Sequence, residues 1–492
     1  MISAHFPALQ VLFPLMAAPF CVIFRRTYPS WLLSLIVSWL AFGIAASLLG
    51  QVMAGEPISY YLGDWPPPIG IEYRVDVLTA FVLLLVSGIG AVIMLIAPTI
   101  IAREIPEDRL YLFYTMYLLT LAGLLGMAIT GDMFNLFVFL EVSSLATYVM
   151  ISLGKSRKAM TAAFRYLILG TVGATFYVIG VGYMYQMTGT LNMMDLAERL
   201  PEVADTRTIL VAVCLLTVGI GLKVAMFPLH AWLPNAYAYA PSVVTAFLAA
   251  TATKVAIYVL LRIYFTVFGI EAIGGFPVDE GILILGLIAI VTMSAVAIFQ
   301  KDAKRLLAYS SVAQVGYMVI GISLLTTMGI AASVLHIFNH ALMKAALFLV
   351  LGCVFYRIGS VNIKDMAGLG RAMPFTMAAF VLAGLSLIGV PLSVGFVSKW
   401  YLITASIEQE YWIVAVLILF SSLLAVIYFW KVVEVAYFQP RNSDAAEVTE
   451  APALMLAPMW IMVIANFYFG IHTYLTVSSA MAAAKALIGV GP

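Results

Sequence analysis

The chain has 492 residues, 64 % of them hydrophobic and only 10 % charged, with a net charge of +1. Soluble domains carry about a quarter charged residues, so the composition excludes an ordinary soluble enzyme, and the near-neutral balance argues against a nucleic-acid partner. The cysteines, Cys21, Cys214 and Cys353, are far apart and form no CxxC pair, and neither a GxxxxGK[ST] loop nor a strand followed by GxGxxG is present; the expectation is therefore no cofactor, no metal cluster and no nucleotide site.

Apolar windows of the roughly 20 residues needed to cross a bilayer recur along the whole chain. They predict an all-α polytopic membrane protein, a single integral membrane domain over 1–492, with 14 spans at 5–24, 30–52, 76–102, 110–130, 132–152, 160–187, 208–239, 242–267, 280–299, 304–324, 326–356, 373–408, 411–438 and 452–475. The first span is expected to be retained rather than cleaved as a signal peptide. The seventh and twelfth are interrupted, and they lie five apart. That placement predicts two five-span repeats, 110–267 and 280–438. An odd number of crossings reverses direction, so the repeats would be inverted.

Basic residues sort by loop. The loops that carry Arg25, Arg103, Lys155, Lys301, Arg357 and Lys431 hold 15 lysines and arginines, whereas the alternate loops hold 4: Arg74, Arg199, Arg207 and Lys485. The positive-inside rule places the first set in the cytoplasm and both termini outside, in agreement with an even span count; the expected location is the cell membrane. Of the six remaining basic residues, Arg165 and Arg262 are near span ends and can snorkel. Lys223, Lys254, Lys344 and Lys399 are too deep for that. Among the acids only Glu141, about 14 Å along the helix from Asp132, lies well inside a span; Asp76, Asp132 and Glu434 are near span ends.

A charge at mid-membrane costs about 2.5–3.5 kcal/mol even on the lenient insertion scale. One acid cannot neutralise four lysines, so pairing for helix packing alone explains little. A chain of protonatable groups along an ion route explains the set. Glu141 and Lys223 form the expected pair, a switch in which separating the two ions changes the proton affinity of both.

The stretch "GLKVAMFPLHAWLPNAYAYAPS" (221–242) puts Lys223 before Pro228, His230 and Pro234. Proline removes a donor and frees a carbonyl one turn back, here Val224 and His230, and irregular backbone at membrane depth is tolerated where it lines a polar path. In "LSLIGVPLSVGFVSKWYLI" (385–403) Pro391, flanked by Gly389 and Gly395, breaks a span just before Lys399. Lys254 has Thr251 at i−3 and Tyr258 at i+4, which are expected to line its face. His336, His340 and Lys344 repeat every four residues and form a stripe suited to proton relay. The two histidines also have metal-ligand spacing, but no Cys or carboxylate in that span assists and Lys344 would repel a cation.

Taken together, "FNLFVFLEV", "GLKVAMFPLHAWLPNAYAYAPS", "KRLLAYSSVAQVGYM", "HIFNHALMKAALFLVLG" and "DMAGLG" resemble the antiporter-like subunits shared by Mrp-type multisubunit Na+/H+ antiporters, membrane-bound hydrogenases and respiratory complex I. The resemblance covers essentially the whole chain. "GDMFNLFVFLEV" and Lys399 look most like the D-type subunit of the Mrp complexes, and the chain ends too soon for members with a long lateral C-terminal helix. The resemblance implies a proton-translocating subunit of 14 helices, with Glu141 and Lys223 as control pair, Lys254 on the central axis, and the histidine helix leading to Lys399. It also implies neighbouring membrane subunits in a hetero-oligomer, with H+ and Na+ as the ions and the lipid bilayer as surroundings. Redox chemistry, where present, would belong to other subunits, so this chain is not expected to be an enzyme by itself. Two alternatives stay open: a proton-pumping subunit of a redox complex (NADH-quinone oxidoreductase or hydrogenase), and a stand-alone solute transporter.

Overall fold

The computed structural model describes residues 2–441 and 447–489. Among them, 13 helices are long and apolar enough to cross a membrane, and Pro374–Ile388 is a shorter apolar one. The run begins with α1 (Phe6–Phe24), α2 (Thr27–Ala54), α3 (Val77–Glu104), α4 (Leu110–Ile129), α5 (Met133–Ser152) and α6 (Arg157–Thr188). Between α2 and α3 a small antiparallel hairpin, β1 (Ile58–Tyr61) with β2 (Glu72–Val75), pairs from Ile58 opposite Val75 to Tyr61 opposite Glu72. Its Glu72 carbonyl accepts from the Gly131 N–H at 2.8 Å, so the hairpin is bonded to the α4–α5 turn.

The seventh span is split into α7 (Arg207–Val224) and α8 (Leu233–Tyr239). Ala225 takes the left-handed conformation (φ 61) and ends α7, a position that disfavours a residue with a Cβ. The eighth span comprises α9 (Ser242–Ala250), α10 (Ala252–Leu261) and a π-helical turn, Arg262–Phe268. Thr251, at φ −122 and ψ −56, is the joint between α9 and α10; no proline or glycine marks it. Next come α11 (Val278–Ile298), α12 (Ala303–Ser323) and α13 (Thr327–Ile358). The twelfth span is split into α14 (Pro374–Ile388) and α15 (Val394–Glu408). Gly389, at φ 96, ends α14, and a Cβ on Gly395 would collide with the Ser386 carbonyl, so the two halves cross closely at these two glycines. Then α16 (Trp412–Phe438) and α17 (Ala453–Ile471) follow, and a final helix α18 (Tyr474–Leu487) packs against α13 and α3.

Each expected span thus has its helix. Two details differ. The last span ends at Ile471, and α18 lies beyond it, over an alanine-rich stretch where the periodic apolar signal fades. The breaks also start earlier than the prolines. Ala225 ends α7 before Pro228, and Pro234 sits in the first turn of α8, where a missing N–H is harmless. The His230 carbonyl accepts from the Leu233 N–H at 3.0 Å, so Pro234 does not free it.

Two turns are near copies of each other. Asp132 caps α5 through the Asn135 N–H at 2.6 Å, and Asp302 caps α12 through the Arg305 N–H at 2.8 Å. Gly189 and Gly359, both left-handed, end the following helices α6 and α13. Asn192 then bridges back to Asp132, and Asn362 to Asp302. "GTLNMMD" (189–195) and "GSVNIKD" (359–365) therefore occupy equivalent places five spans apart.

Candidate proton route

Glu141 is on α5 in line with Phe134, Val138, Leu145 and Val149, all exposed. It is half-buried, and its Oε1 is enclosed without a hydrogen-bond partner. Lys223, in the last turn of α7 and 7 % exposed, does not touch it. Its ammonium donates to Ser144 Oγ at 2.5 Å and to the Tyr148 hydroxyl at 3.1 Å. The two residues expected to act as a pair are thus not in contact here: Ser144 and Tyr148, one and two turns along α5 from Glu141, occupy the ammonium.

The break beside Lys223 is held by aromatics. Trp232 Nε1 donates to the Leu222 carbonyl at 2.8 Å, satisfying an end of α7. The Trp232 ring stacks on Tyr166 at 3.7 Å between centroids, and Tyr166 meets Tyr148 edge-on at 4.7 Å. His230, inside the break, stacks on Phe227, and its Nδ1 is enclosed without a partner. A cavity of about 30 Å³ lies between Lys223 and α10, lined by Ser143, Ser144, Thr147, Tyr166, Ala252 and Ala256 among others. That is room for a water or two.

Lys254, fully buried, donates to the Ala249 carbonyl and, at 3.2 Å, to Thr253 Oγ1. That carbonyl lies just before the joint at Thr251, so Lys254, like Lys399, is held by a carbonyl beside a helix break, whereas Lys223 is held by the hydroxyls of α5. The flanking residues expected beside Lys254 point elsewhere. Thr251 Oγ1 donates back to the Phe247 carbonyl at 2.7 Å, as a threonine within a helix often does. The Tyr258 hydroxyl donates to the Ala128 carbonyl at 2.6 Å and accepts from Arg262 Nε at 3.0 Å. Arg262 itself is buried and ion-paired with Asp76, not snorkelling to water.

His336, His340 and Lys344 all lie on α13 and are buried. The His336 and His340 rings are parallel, 5.8 Å apart. Both His340 nitrogens are buried and without a partner. His336 Nε2 lies 2.9 Å from Gln314 Oε1, which makes Nε2 the donor and leaves Nδ1 to accept from Ser398 Oγ at 2.8 Å. Lys344, fully buried, donates to the Leu307 carbonyl at 2.8 Å and to Ser310 Oγ at 2.5 Å. Lys399 donates to the Leu387 and Ile388 carbonyls at 3.1 and 2.8 Å and to Ser422 Oγ at 3.0 Å. It thereby caps the end of α14 that the break at Pro391 leaves open. Tyr317 connects the two, 5.2 Å under the Lys399 ammonium and edge-on to His336 at 5.7 Å. Gln314, Ser398 and Tyr148 were not singled out by sequence reasoning. Gln314 and Ser398 lie in quoted motifs but carry no charge, and Tyr148 is indistinguishable from the many other span tyrosines.

None of the four intramembrane lysines forms an ion pair among the described residues. Each is held instead by carbonyl or hydroxyl oxygens. Three oxygens meet Lys399 and two meet each of the others, and the unpartnered ring nitrogens of His340, one an acceptor in the neutral imidazole, lie between Lys344 and His336 on α13.

Comparison with known proteins decides the family. Residues 130–425 match the family described as "NADH:quinone oxidoreductase/Mrp antiporter, TM". The chain belongs to this family. It is 41 % identical to the N-type subunit of the NADH-quinone oxidoreductase of Desulforudis audaxviator (strain MP104C), over 97 % of this chain and 98 % of that one. It is 31 % identical to the D-type subunit of the Na(+)/H(+) antiporter of Alkalihalophilus pseudofirmus, over 94 % and 93 %. In structure it is similar to a chain of the membrane-bound sulfane sulfur reductase, an archaeal respiratory membrane complex, with a TM-score of 0.91 and 28 % identity over 98 % of this chain and 97 % of that one. The chain is thus an antiporter-like membrane subunit, related both to the oxidoreductase N-type and to the antiporter D-type subunits.

Proposed function

We propose that this protein translocates protons as one subunit of a multisubunit cation/H+ antiporter exchanging Na+, in the cell membrane, with both termini outside. The observation that carries the reading is the row of buried, oxygen-held lysines, Lys223, Lys254, Lys344 and Lys399, with His340 and His336 among them. A proton entering near Glu141 and Lys223 passes across the small cavity toward Lys254, then by His340 and His336 to Lys399. The copied turns around Asp132 and Asp302 support two inverted repeats, 110–267 and 280–438, each supplying one broken helix beside a lysine. Glu141 sits in an otherwise apolar exposed stripe, and a carboxylate at that depth is too costly to face lipid. A neighbouring membrane subunit is the cover that fits. In this reading the chain is a transport subunit and not an enzyme on its own.

A second reading has its own support. The 41 % identity to the oxidoreductase N-type subunit favours a proton-pumping role in a redox-driven complex, with the same residues on the route. The composition of the complex purified through this chain separates the two. Small multi-pass antiporter subunits and Na+-dependent proton movement support the first, and co-purifying iron–sulfur or quinone-reducing subunits support the second. Full transport by this polypeptide alone in liposomes would overturn both.

A further inference from the structure

The two copied turns differ in what covers them. In the first, the Met133 N–H donates to the Leu191 carbonyl and the Met193 N–H to the Gly131 carbonyl; in the second, Ala303 donates to Val361 and Ile363 to Lys301. This register puts Lys301 where Gly131 stands and Asn362 where Asn192 stands. The β-hairpin closes the first turn. The Gly131 N–H donates to the Glu72 carbonyl at 2.8 Å, and the Glu72 carboxylate, 3 % exposed, accepts from Asn192 Nδ2 at 2.9 Å and from Ser59 Oγ. Among the described residues no strand covers the second turn. The Lys301 N–H has no backbone acceptor there, and Asn362 Nδ2 reaches only Asp365, at 3.4 Å. A pocket of about 380 Å³ lies against Lys301 and Asn362 instead, and cations from three elements line it: Lys158 of α6, Lys301 of the α11–α12 turn and Arg305 of α12.

A carboxylate of the chain itself thus fills the first turn, and the second is a cationic hollow. Its acid, Asp302, spends Oδ1 on the Arg305 N–H, whereas Arg305 Nε is enclosed without a partner among the described residues. The positive-inside bias accounts for cations on this side of the membrane, but not for three from separate elements facing one pocket. Phe299, which also lines the pocket, is 76 % exposed just past the end of α11. Beside it, Lys431 of α16 donates to the Ile298 and Gln300 carbonyls at 2.9 and 2.8 Å, next to the exposed ring of Trp430. Exposed aromatic rings mark the bilayer boundary, so the pocket opens at headgroup level. We propose that it binds the phosphate of an anionic phospholipid of the cytoplasmic leaflet, with Lys158, Lys301 and Arg305 as counter-charges and Phe299 against the acyl chains. Basic pockets between membrane helices on the cytoplasmic side suit such headgroups. The phosphate oxygens accept from the three cations and from the Asn362 amide, the donor that its counterpart Asn192 gives to Glu72. Lys158 belongs to the first half of the molecule and Lys301 and Arg305 to the second, so the bound headgroup ties the halves together at this end. The site does not depend on which complex the chain serves.

The test uses the whole complex, stripped of lipid in detergent, and counts bound dioleoyl-phosphatidylglycerol by native mass spectrometry. The comparison is the complex carrying Lys158→Gln, Lys301→Gln and Arg305→Gln together. Each cation near the membrane surface strengthens anionic-lipid binding about fivefold. The triple change is therefore expected to weaken one site per copy of this chain by about a hundredfold, so that one phosphatidylglycerol fewer is retained at limiting lipid. Phosphatidylcholine with the same chains is expected not to compete. Millimolar inorganic phosphate is expected not to displace the lipid, because it lacks the chains that contact Phe299. Equal retention by parent and triple variant, or equal binding of phosphatidylcholine, overturns the site. Displacement by inorganic phosphate overturns the lipid assignment in favour of a free anion. A zero-length carbodiimide cross-link from Lys301 to an acidic residue of another subunit puts protein in the pocket and overturns it too. If the triple variant does not assemble, Lys301→Glu, a single change at an exposed position, decides: retention about tenfold weaker supports the site, and unchanged retention overturns it.

Discussion

Gly170 of α6 lies directly against the Tyr148 hydroxyl: a Cβ at this position would collide with that oxygen and stand 3.3 Å from the Lys223 ammonium. The absence of a side chain on α6 is what lets Tyr148 reach Lys223. Two hydroxyls on the same helix as Glu141, those of Ser144 and Tyr148, therefore hold the Lys223 ammonium, and Glu141 is not in contact with it. Exchange of the ammonium between these oxygens and the carboxylate is the switch that the geometry allows.

Gly170→Ala is expected to push Tyr148 off Lys223 and to slow transport severalfold, while the complex still assembles. Alanine favours helix by up to about 1 kcal/mol over glycine, so an assembly defect from lost helix propensity is not expected. The check is proton transport per assembled complex. An unaltered rate would mean that Tyr148 is not needed at Lys223.

Glu141→Ala and Lys223→Ala are each expected to abolish coupled transport, and the double change to cost no more than either alone, since residues that act as a unit lose function once. The measurement is a double-mutant cycle on transport rates, after subunit stoichiometry has been verified. Independent, multiplying losses would show that the two groups serve separate steps.

The helix break rests on Ala225 and Trp232 more than on the prolines. Pro234→Ala is expected to leave transport nearly unchanged, because Pro234 occupies the first turn of α8. Trp232→Phe removes the donor to the Leu222 carbonyl and should slow transport while keeping the stack on Tyr166. The Leu222 carbonyl keeps the longer Ala225 N–H bond, 3.3 Å, so the cost is that of one hydrogen bond, about 1 kcal/mol, which a thermal shift of the complex would read. A strong effect of Pro234→Ala with none from Trp232→Phe would reverse this assignment.

Orientation is checked by one-sided labelling of single cysteines. Glu198→Cys and Arg157→Cys are both at exposed positions. The first is expected to react with an impermeant reagent from outside, and the second only from the cytoplasm. The opposite pattern would invert the proposed topology.

Much of this architecture was legible in the sequence, because apolar span length is a strong physical constraint and a lysine at mid-membrane is too costly to be incidental. The histidine stripe was readable from its four-residue spacing, and the second break from Gly389 and Pro391. Other features had no local signal. The joint at Thr251 contains neither proline nor glycine. Arg262 and Asp76 are paired by the fold across a long sequence separation, so Arg262 read as a span-end arginine free to snorkel. Thr251 and Tyr258 shared a nominal face with Lys254, but hydroxyls follow the nearest acceptors, Phe247 and Ala128, and not the helical wheel. The contact that replaced the Glu141–Lys223 pair needed a missing side chain on a third helix, Gly170, which no spacing along α5 or α7 announces.

The central claim is that buried lysines carry protons through the middle of this chain, and Lys254 is the residue on which both halves converge. The most direct measurement is proton uptake by vesicles containing the assembled complex with Lys254→Met, which keeps the length and apolar stem of the side chain and removes the titratable amine. The account predicts a fall of about 100-fold or more, the scale of a lost proton-transfer group, with normal subunit stoichiometry. Near-normal uptake in that assembled variant would contradict it.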